Sequence, residues 1–176
     1  MPSSLPDAEQ AYGALCAQLR AERLEASRIV GIHSGGVWIA RRLQRDLGFS
    51  GPIGELDISF YRDDFDKIGL HAQVKPSSID FEVDGAQILL VDDVLYTGRT
   101  IRGAMNVLFD YGRPARIDLA VLIERKGREL PIAARWVGAR VELDPREGLV
   151  LSRATSEKED ERFVLKIETQ AASDSP

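Results

Sequence analysis

One segment of the chain strongly restricts its fold: residues 88–100 read Ile-Leu-Leu-Val-Asp-Asp-Val-Leu-Tyr-Thr-Gly-Arg-Thr. The bulky apolar run of residues 88–91 is uninterrupted, which is typical of a parallel strand buried on both faces. Asp92 and Asp93 then lie at the carboxyl end of that strand, where open α/β sheets bind their ligands. We therefore expect a parallel sheet with a binding site at this strand end.

The loop after the two carboxylates predicts an anion site. It opens onto the next helix, whose first N–H groups can face an anion. Gly98 permits a close approach of the backbone, and the hydroxyl groups of Thr97 and Thr100 add hydrogen-bond donors. The segment thus offers acceptors for hydroxyl groups and donors for phosphate, which suits a phosphorylated sugar. The alternative is a strand-to-helix turn capped by a carboxylate, so the motif is a hypothesis.

Helices and strands alternate along the chain in the order that predicts a parallel sheet covered by helices. The predicted helices cover residues 7–26, a stretch from Val37 that Gly48 ends, and a stretch from Ile101 that Gly112 ends. The predicted strands cover residues 29–32, 56–60, 88–91, 117–123, 135–141, 149–151 and 163–167. Residues 56–60 alternate apolar and polar side chains, which predicts a strand towards one edge of the sheet. The polar stretch of residues 62–85 is long enough to be functional or disordered.

Length and composition exclude several classes of protein. With 176 residues and a formal charge of −5, the chain fits one domain and is not a generally basic nucleic-acid binder. Residues 99–153 nevertheless hold 11 Lys/Arg against 7 Asp/Glu, so one portion can face an anion. The single cysteine, Cys16, lies among apolar residues and cannot form an intrachain disulfide. No targeting segment or apolar membrane span is evident, so we expect a soluble cytoplasmic protein without a membrane partner.

Two further strand ends carry candidate site residues. The first follows the strand of residues 29–32 and consists of His33, Ser34, Gly35 and Gly36. These residues predict a second site for an anion, although a Gly-Gly turn between a strand and a helix is common. The second is Arg62, which can meet a pyrophosphate group, and the long loop after it can close over the site. A solvated edge turn is the alternative for this second segment.

Residues 88–100 resemble the 5-phosphoribosyl-1-diphosphate (PRPP) motif of type I phosphoribosyltransferases. Further segments resemble the PyrR family, whose members are pyrimidine operon regulators and uracil phosphoribosyltransferases. They are residues 31–32, 57–58, 61–64, 112–116 and 128–132. The resemblance implies the α/β type I phosphoribosyltransferase fold, a mostly parallel twisted sheet flanked by helices, with a small hood region. It implies a single domain over residues 1–176, with a core at about 27–138 and a C-terminal hood or hairpin at about 139–168.

The resemblance also implies a reaction, in which uracil and PRPP give UMP and diphosphate with Mg²⁺. Asp92 and Asp93 would hold the ribose hydroxyls, directly or through magnesium, and would favour positive charge on the sugar. The 5′-phosphate loop would comprise Tyr96, Thr97, Gly98, Arg99 and Thr100. The pyrophosphate loop would comprise His33, Ser34, Gly35 and Gly36, with Arg62 as a further catalytic residue.

Two features address which base is used. Tyr96 stands where purine-specific relatives carry an aspartate, which favours a pyrimidine. Trp136 and Val137 resemble the hood segment that covers the base, with the ring stacking and the Val137 backbone reading the uracil edge. A tryptophan inside a short strand usually belongs to the core, and that alternative stays open.

The family further implies RNA binding through a basic dimer face, control by UMP or UTP, and a homodimer or larger oligomer. The RNA in question is the leader of a pyrimidine operon. The candidate phosphate contacts are Arg113, Arg116, Arg125, Lys126, Arg128 and Arg140. Exposed arginines of any soluble protein are the alternative explanation.

The sequence departs from the family at three places, one of which is the first helix, where the usual basic, His-containing sequence is not evident. His33-Ser34-Gly35 stands where a Thr-Arg pair is usual, and Lys126-Gly127 replaces the usual Gly-His. These departures leave open a nucleotide-sensing RNA-binding regulator with little or no catalytic activity. A phospho-accepting receiver domain fits worse, because the next strand ends in Glu124-Arg125 where such a domain needs an aspartate.

Overall fold

The computed structural model describes residues 5–22, 24, 27–59, 77–154 and 162–169. Its helices are α1 (Ala8–Arg20), α2 (Gly35–Leu47) and α3 (Arg99–Tyr111). Its strands are β1 (Ser27–Ile32), β2 (Gly54–Leu56), β3 (Gln87–Leu95), β4 (Arg116–Arg125), β5 (Trp136–Val141), β6 (Glu147–Ala154) and β7 (Arg162–Thr169).

The first five strands form one sheet in the order β2-β1-β3-β4-β5, and each neighbouring pair runs parallel. The chain leaves β1 towards β2 on one side and returns to β3 on the other. The strand order therefore reverses between β1 and β3, where Gly31 lies opposite Val91. A crevice at the carboxyl ends of two such strands is where open α/β sheets bind ligands.

Helices cover both faces of the sheet, because the buried strands expose no polar face to water. One apolar cluster joins α1 and α2 to the sheet through Leu15, Leu43 and Leu89. The other joins α3 to the opposite face through Ile101, Leu108 and Leu90. Burial of these two clusters supplies the main favourable free energy of folding.

Two helix termini follow directly from the sequence. Asp7 accepts a hydrogen bond from the Gln10 N–H at 2.8 Å and so caps the first turn of α1. Gly48 ends α2 in the left-handed conformation, with φ of 73°, as predicted from the sequence.

Strands β6 and β7 pair antiparallel as a separate two-stranded sheet. Its inner side chains, including Leu151, Phe163 and Leu165, join the cluster around α1. The Tyr12 and Phe163 rings meet edge to face with centroids 5.6 Å apart. The hairpin is thus fastened to α1 rather than to an edge of the main sheet.

The predicted α/β architecture with a mostly parallel sheet is confirmed, and β2 lies at the sheet edge as expected. β3 is longer than its apolar run, because its pairing with β4 continues through Asp92 to Leu95. The two predicted carboxylates therefore lie within the strand rather than after it. No helix among the described residues is long and apolar enough to cross a bilayer.

Candidate active site

Two loops lie next to each other at the crevice between β1 and β3. Residues 33–36 follow β1 and lead into α2, while residues 96–98 follow β3 and lead into α3. Both loops connect a buried parallel strand to a helix N-terminus, where backbone N–H groups lack intrahelical partners. The sequence-predicted phosphate and pyrophosphate loops are therefore neighbours in the fold.

The acidic pair lies between these loops. Asp92 and Asp93 are consecutive residues near the carboxyl end of β3. Asp92 is 3% exposed, and its carboxylate accepts the Asp93 N–H at 2.9 Å. Asp93 is half-buried and lies against Gly35, where a Cβ atom would overlap its carboxylate. The Asp93 carboxylate thus lies against the backbone of the first loop.

The first loop is closely packed on β3. An added Cβ at Gly36 would overlap the Val91 carbonyl oxygen and lie 3.0 Å from the Asp92 Cα. The peptide bond between His33 and Ser34 is cis. Only glycine fits at Gly36, because backbone atoms of the neighbouring strand occupy the space a side chain needs.

His33 anchors the same loop to β2. Its N–H donates to the Leu56 carbonyl at 2.8 Å, and its Nε2 lies 3.1 Å from a Glu55 carboxylate oxygen. Arg41 of α2 pairs with the other oxygen of Glu55. Sequence reasoning gave no role to Glu55, because a glutamate in a short edge strand reads as an ordinary solvated residue.

The second loop adopts the conformation that an anion site needs. Gly98 has a φ of 96° and precedes the first residue of α3. The Thr97 hydroxyl accepts the Arg99 N–H at 3.2 Å. The Thr97 carbonyl is held from the other side by the N–H groups of Glu129 and Leu130, at 3.0 and 3.1 Å. The loop is therefore braced by the segment after β4.

A cleft of about 610 Å³ opens beside this brace at the carboxyl ends of β4 and β5. Six of the ten residues that line it are charged, and Ile132 and Val141 supply apolar surface. Arg128 and Arg140 both pair with Glu124, at 2.8 and 2.9 Å. The cleft is large enough for a small planar base.

The predicted base-binding residues Trp136 and Val137 lie in the core of the sheet. They are 4% and 8% exposed and belong to the apolar clusters on the two faces of the sheet. The Val137 carbonyl, expected to read the uracil edge, accepts a hydrogen bond from Gln18 at 2.8 Å. The next residue, Gly138, lies so close to α1 that a Cβ would be 2.5 Å from the Ala11 carbonyl oxygen.

Most of the predicted RNA-binding residues have acidic partners within the chain. Arg116 pairs with Asp118, Lys126 with Glu142, and Arg128 and Arg140 share Glu124. Arg113 is exposed at the end of α3. Arg125 is 5% exposed and faces the interior. The predicted residue Arg62 lies outside the described residues.

The comparison with known proteins agrees with this arrangement. The family model described as the phosphoribosyl transferase domain matches residues 4–146. The "Bifunctional protein PyrR" of Pseudomonas aeruginosa strain LESB58 is 52% identical over 144 residues, covering 80% of this chain and 85% of that protein. The chain belongs to the PyrR family. The PyrR protein of Ralstonia nicotianae is 48% identical over 176 residues, covering 98% of this chain and 100% of its own length.

Solved structures of more distant proteins share this chain's fold. A hypoxanthine phosphoribosyltransferase from Staphylococcus aureus superposes with a TM-score of 0.61 at 20% identity, covering 84% of this chain and 80% of its own. A purine phosphoribosyltransferase from Pyrococcus horikoshii Ot3 gives 0.56 at 23% identity, covering 78% and 87%. The fold is therefore that of the type I phosphoribosyltransferases, and these two matches carry no information about the base.

Proposed function

We propose that this protein is a uracil phosphoribosyltransferase, which makes UMP and diphosphate from uracil and PRPP. One observation carries the proposal: two loops suited to anions and a pair of carboxylates meet at the crevice between β1 and β3. Asp93 lies against the first loop at Gly35, and Asp92 is the residue before it. PRPP presents the matching groups, a phosphate and a diphosphate on either side of a sugar with two hydroxyls.

Each group of PRPP then has a partner in the crevice. Thr97, Gly98 and Thr100 would hold the 5′-phosphate at the start of α3, and residues 33–36 would hold the diphosphate. The bond from the anomeric carbon to the diphosphate oxygen breaks, and a bond to uracil N1 forms as that nitrogen loses its proton. Asp92 and Asp93 would accept hydrogen bonds from the ribose hydroxyls and stabilise the positive charge that develops on the sugar.

The residues fit a magnesium ion that arrives with PRPP. Among the described residues no group of three or more His, Cys, Asp or Glu side chains could hold a metal ion. Mg²⁺ is usually bound by one or two carboxylates together with substrate phosphates rather than by a cage of protein ligands. Asp93, half-buried beside the diphosphate loop, fits that role. When bound, the ion would neutralise charge on the diphosphate leaving group.

The cleft beside the phosphate loop is our candidate for the base site. Its lining residues Arg125 and Gly127 contact the ring of Tyr96, the position at which the sequence favours a pyrimidine over a purine. Ile132 and Val141 add apolar surface to the cleft. Comparing uracil with hypoxanthine, guanine and orotate as acceptors tests this assignment. We expect product from uracil only, and transfer to hypoxanthine or guanine would contradict it.

The role of the acidic pair has a direct test. Asp92→Asn and Asp93→Asn keep the shape of each side chain but remove its charge, so we expect each to nearly abolish UMP formation without unfolding the protein. Radiolabelled uracil and PRPP over a range of Mg²⁺ concentrations give the rate, and circular dichroism checks the fold. Asp110→Asn, on the exposed side of α3, is the matched control. Full activity in both site variants would refute the assigned role.

A second function, regulation through RNA, is proposed because the relatives carry the word "Bifunctional" in their names. The missing arginine in the loop of residues 33–35 also suits a protein that binds UMP or UTP more readily than it turns over PRPP. A gel-shift assay with a pyrimidine operon leader RNA at rising salt concentrations tests this function. No UMP formation together with salt-dependent RNA binding would favour a regulator with little catalytic activity.

A further inference from the structure

Arg125, the last residue of β4, is buried between two parts of the molecule that are far apart in sequence. Its Nη1 and Nη2 donate to the carbonyls of Glu147 and Asp144, at 2.6 and 2.8 Å. Its guanidinium carbon lies 4.0 Å from the centroid of the Tyr96 ring. Arg125 therefore joins the turn that leads into β6 to the first residue of the candidate phosphate loop.

The segment after Arg125 completes the seat for the Tyr96 ring. Gly127 has a φ of 129°, and a Cβ there would overlap the ring and lie 3.2 Å from its Cδ2 atom. Arg128 donates a hydrogen bond from Nη1 to the Tyr96 carbonyl. The Lys126 N–H donates to the Val141 carbonyl at 3.1 Å, which fixes the segment to β5. Residues 126–127 are one of the three places where the sequence departs from its family.

Burying a guanidinium group in this way costs free energy that the contacts must offset. The hydrogen-bond acceptors described for Arg125 are two peptide carbonyls, and its stacking partner is an aromatic face. Within the described part of the chain its Nε is buried without a hydrogen-bond partner. Arg125 is thus held by two hydrogen bonds to backbone carbonyls and by one stacked ring, which points to a role in positioning these groups.

We propose that Arg125 is a positioning residue for the phosphate loop: it holds the Tyr96 ring, and hence the start of the loop, at a fixed distance from the turn of residues 144–147. The proposal rests on the proposed function, because the loop must bind the 5′-phosphate of PRPP for its position to matter. The loop would contact PRPP as soon as the substrate binds, before the reaction begins. A loop that is no longer held in position therefore weakens PRPP binding more than it slows the chemical step.

Two substitutions remove the contact from opposite sides. Arg125→Met keeps the length of the side chain but removes the donors and the charge, and Tyr96→Leu removes the ring alone. We expect each to raise the KM and Kd for PRPP roughly tenfold, as for the loss of a desolvated cation–π contact, with a smaller change in kcat. Binding of PRPP with Mg²⁺ is measured by calorimetry, so one readout does not require turnover.

Conservative variants separate stacking from simple loss of a side chain. Tyr96→Phe keeps the ring, and we expect its KM for PRPP to stay closer to that of the native protein than the KM of Tyr96→Leu. Arg125→Lys keeps the charge but lacks the planar fork that reaches two carbonyls, so we expect it to rescue little. Arg45→Met is the matched control, since this arginine is 71% exposed in the last turn of α2.

The double variant Arg125→Met/Tyr96→Leu decides whether the two residues act together. We expect it to be no worse than Arg125→Met alone, because the stacking contact that Tyr96→Leu removes is already absent in that variant. Additive effects, or reduced thermal stability with an unchanged KM for PRPP, would overturn the proposal. If Arg125→Met fails to fold, Tyr96→Leu and Arg125→Lys carry the same test. Absence of PRPP binding and UMP formation in the native protein would instead refute the proposed function.

Discussion

Two arginines fasten the C-terminal hairpin region to the rest of the molecule, and they do so with different chemistry. Arg42 of α2 lies over two rings, 4.1 Å from the Tyr12 centroid and 5.0 Å from that of Phe163. Arg125 lies over Tyr96 at 4.0 Å. In both, the Nε is buried and has no hydrogen-bond partner among the described residues. The geometry of the two stacked cations is thus similar.

Their acceptors differ. Arg42 donates from both Nη atoms to the carboxylate of Glu9, each at 2.8 Å, and Glu9 also accepts the Phe163 N–H at 2.7 Å. Arg125 donates to peptide carbonyls, which do not titrate. The contact far from the crevice therefore depends on an ionisable partner, whereas the contact at the phosphate loop keeps its acceptors at any pH. We expect the first to govern stability and the second to govern binding of PRPP.

The largest expected effect on stability comes from Arg42→Met. The substitution leaves Glu9 without its main partner and removes a cation from between two rings, so we expect the free energy of unfolding to fall by about 2 kcal/mol. Urea denaturation measures this loss. We expect the KM for PRPP to stay within about twofold, since Arg42 has no contact with either loop. Arg45→Met in the same helix is the exposed control.

This result would separate the two arginines. If Arg42→Met raised the KM for PRPP as much as Arg125→Met does, both contacts of the C-terminal hairpin region would influence PRPP binding. The proposed division between stability and binding would then be wrong.

The structural role of neither arginine could be predicted from the sequence, although most of the fold could. Local patterns predicted β3, its following helix and the sheet edge, because burial on a regular strand or helix leaves a repeating signature. Both anion loops were predicted for the same reason: each is a short glycine-containing link between a buried strand and a helix. Partners that come from distant segments, such as Tyr96 for Arg125, leave no local signal.

Two predicted site residues are buried, and the causes are related. Trp136 was assigned to the base because its segment resembles the hood of the family, but α1 packs directly on this part of β5. Arg125 was assigned to RNA because members of the family bind RNA through a basic face, but its side chain is buried. The helix that covers Trp136 is α1, which lies more than a hundred residues earlier in the chain. The residue that covers Arg125 is Tyr96, at the end of the neighbouring strand β3. Spacing along the sequence does not reveal that either pair is in contact.

The next largest effect is expected from Gly127→Ala. A methyl group there meets the Tyr96 ring, and the φ of 129° is unfavourable for alanine. Because the ring can shift partway, we expect a loss of roughly 1 kcal/mol in stability and roughly a fivefold rise in the KM for PRPP. Gly13→Ala is the matched control, since nothing lies within 4 Å of its added Cβ. An unchanged KM in Gly127→Ala would show that the ring position does not matter to the loop.

The smallest expected effect is on the loss of stability at low pH. Hydrogen bonds from Arg42 hold the pKa of Glu9 below its ordinary value, and partial burial opposes this shift. A carboxyl whose pKa is lower in the folded state stabilises the fold above its unfolded pKa, and that contribution is lost as the pH falls through the folded value.

Glu9→Gln should therefore cost stability at neutral pH and flatten the decline below about pH 4.5, by less than about 1 kcal/mol because Glu9 is partly exposed. Urea denaturation of both proteins from pH 7 to pH 3 measures the difference. The KM for PRPP of Glu9→Gln should match that of the native protein at each pH. If the native protein and Glu9→Gln lost stability in parallel down to pH 3, the Arg42 contact would not be the titrating one. The two arginines would then differ only in position.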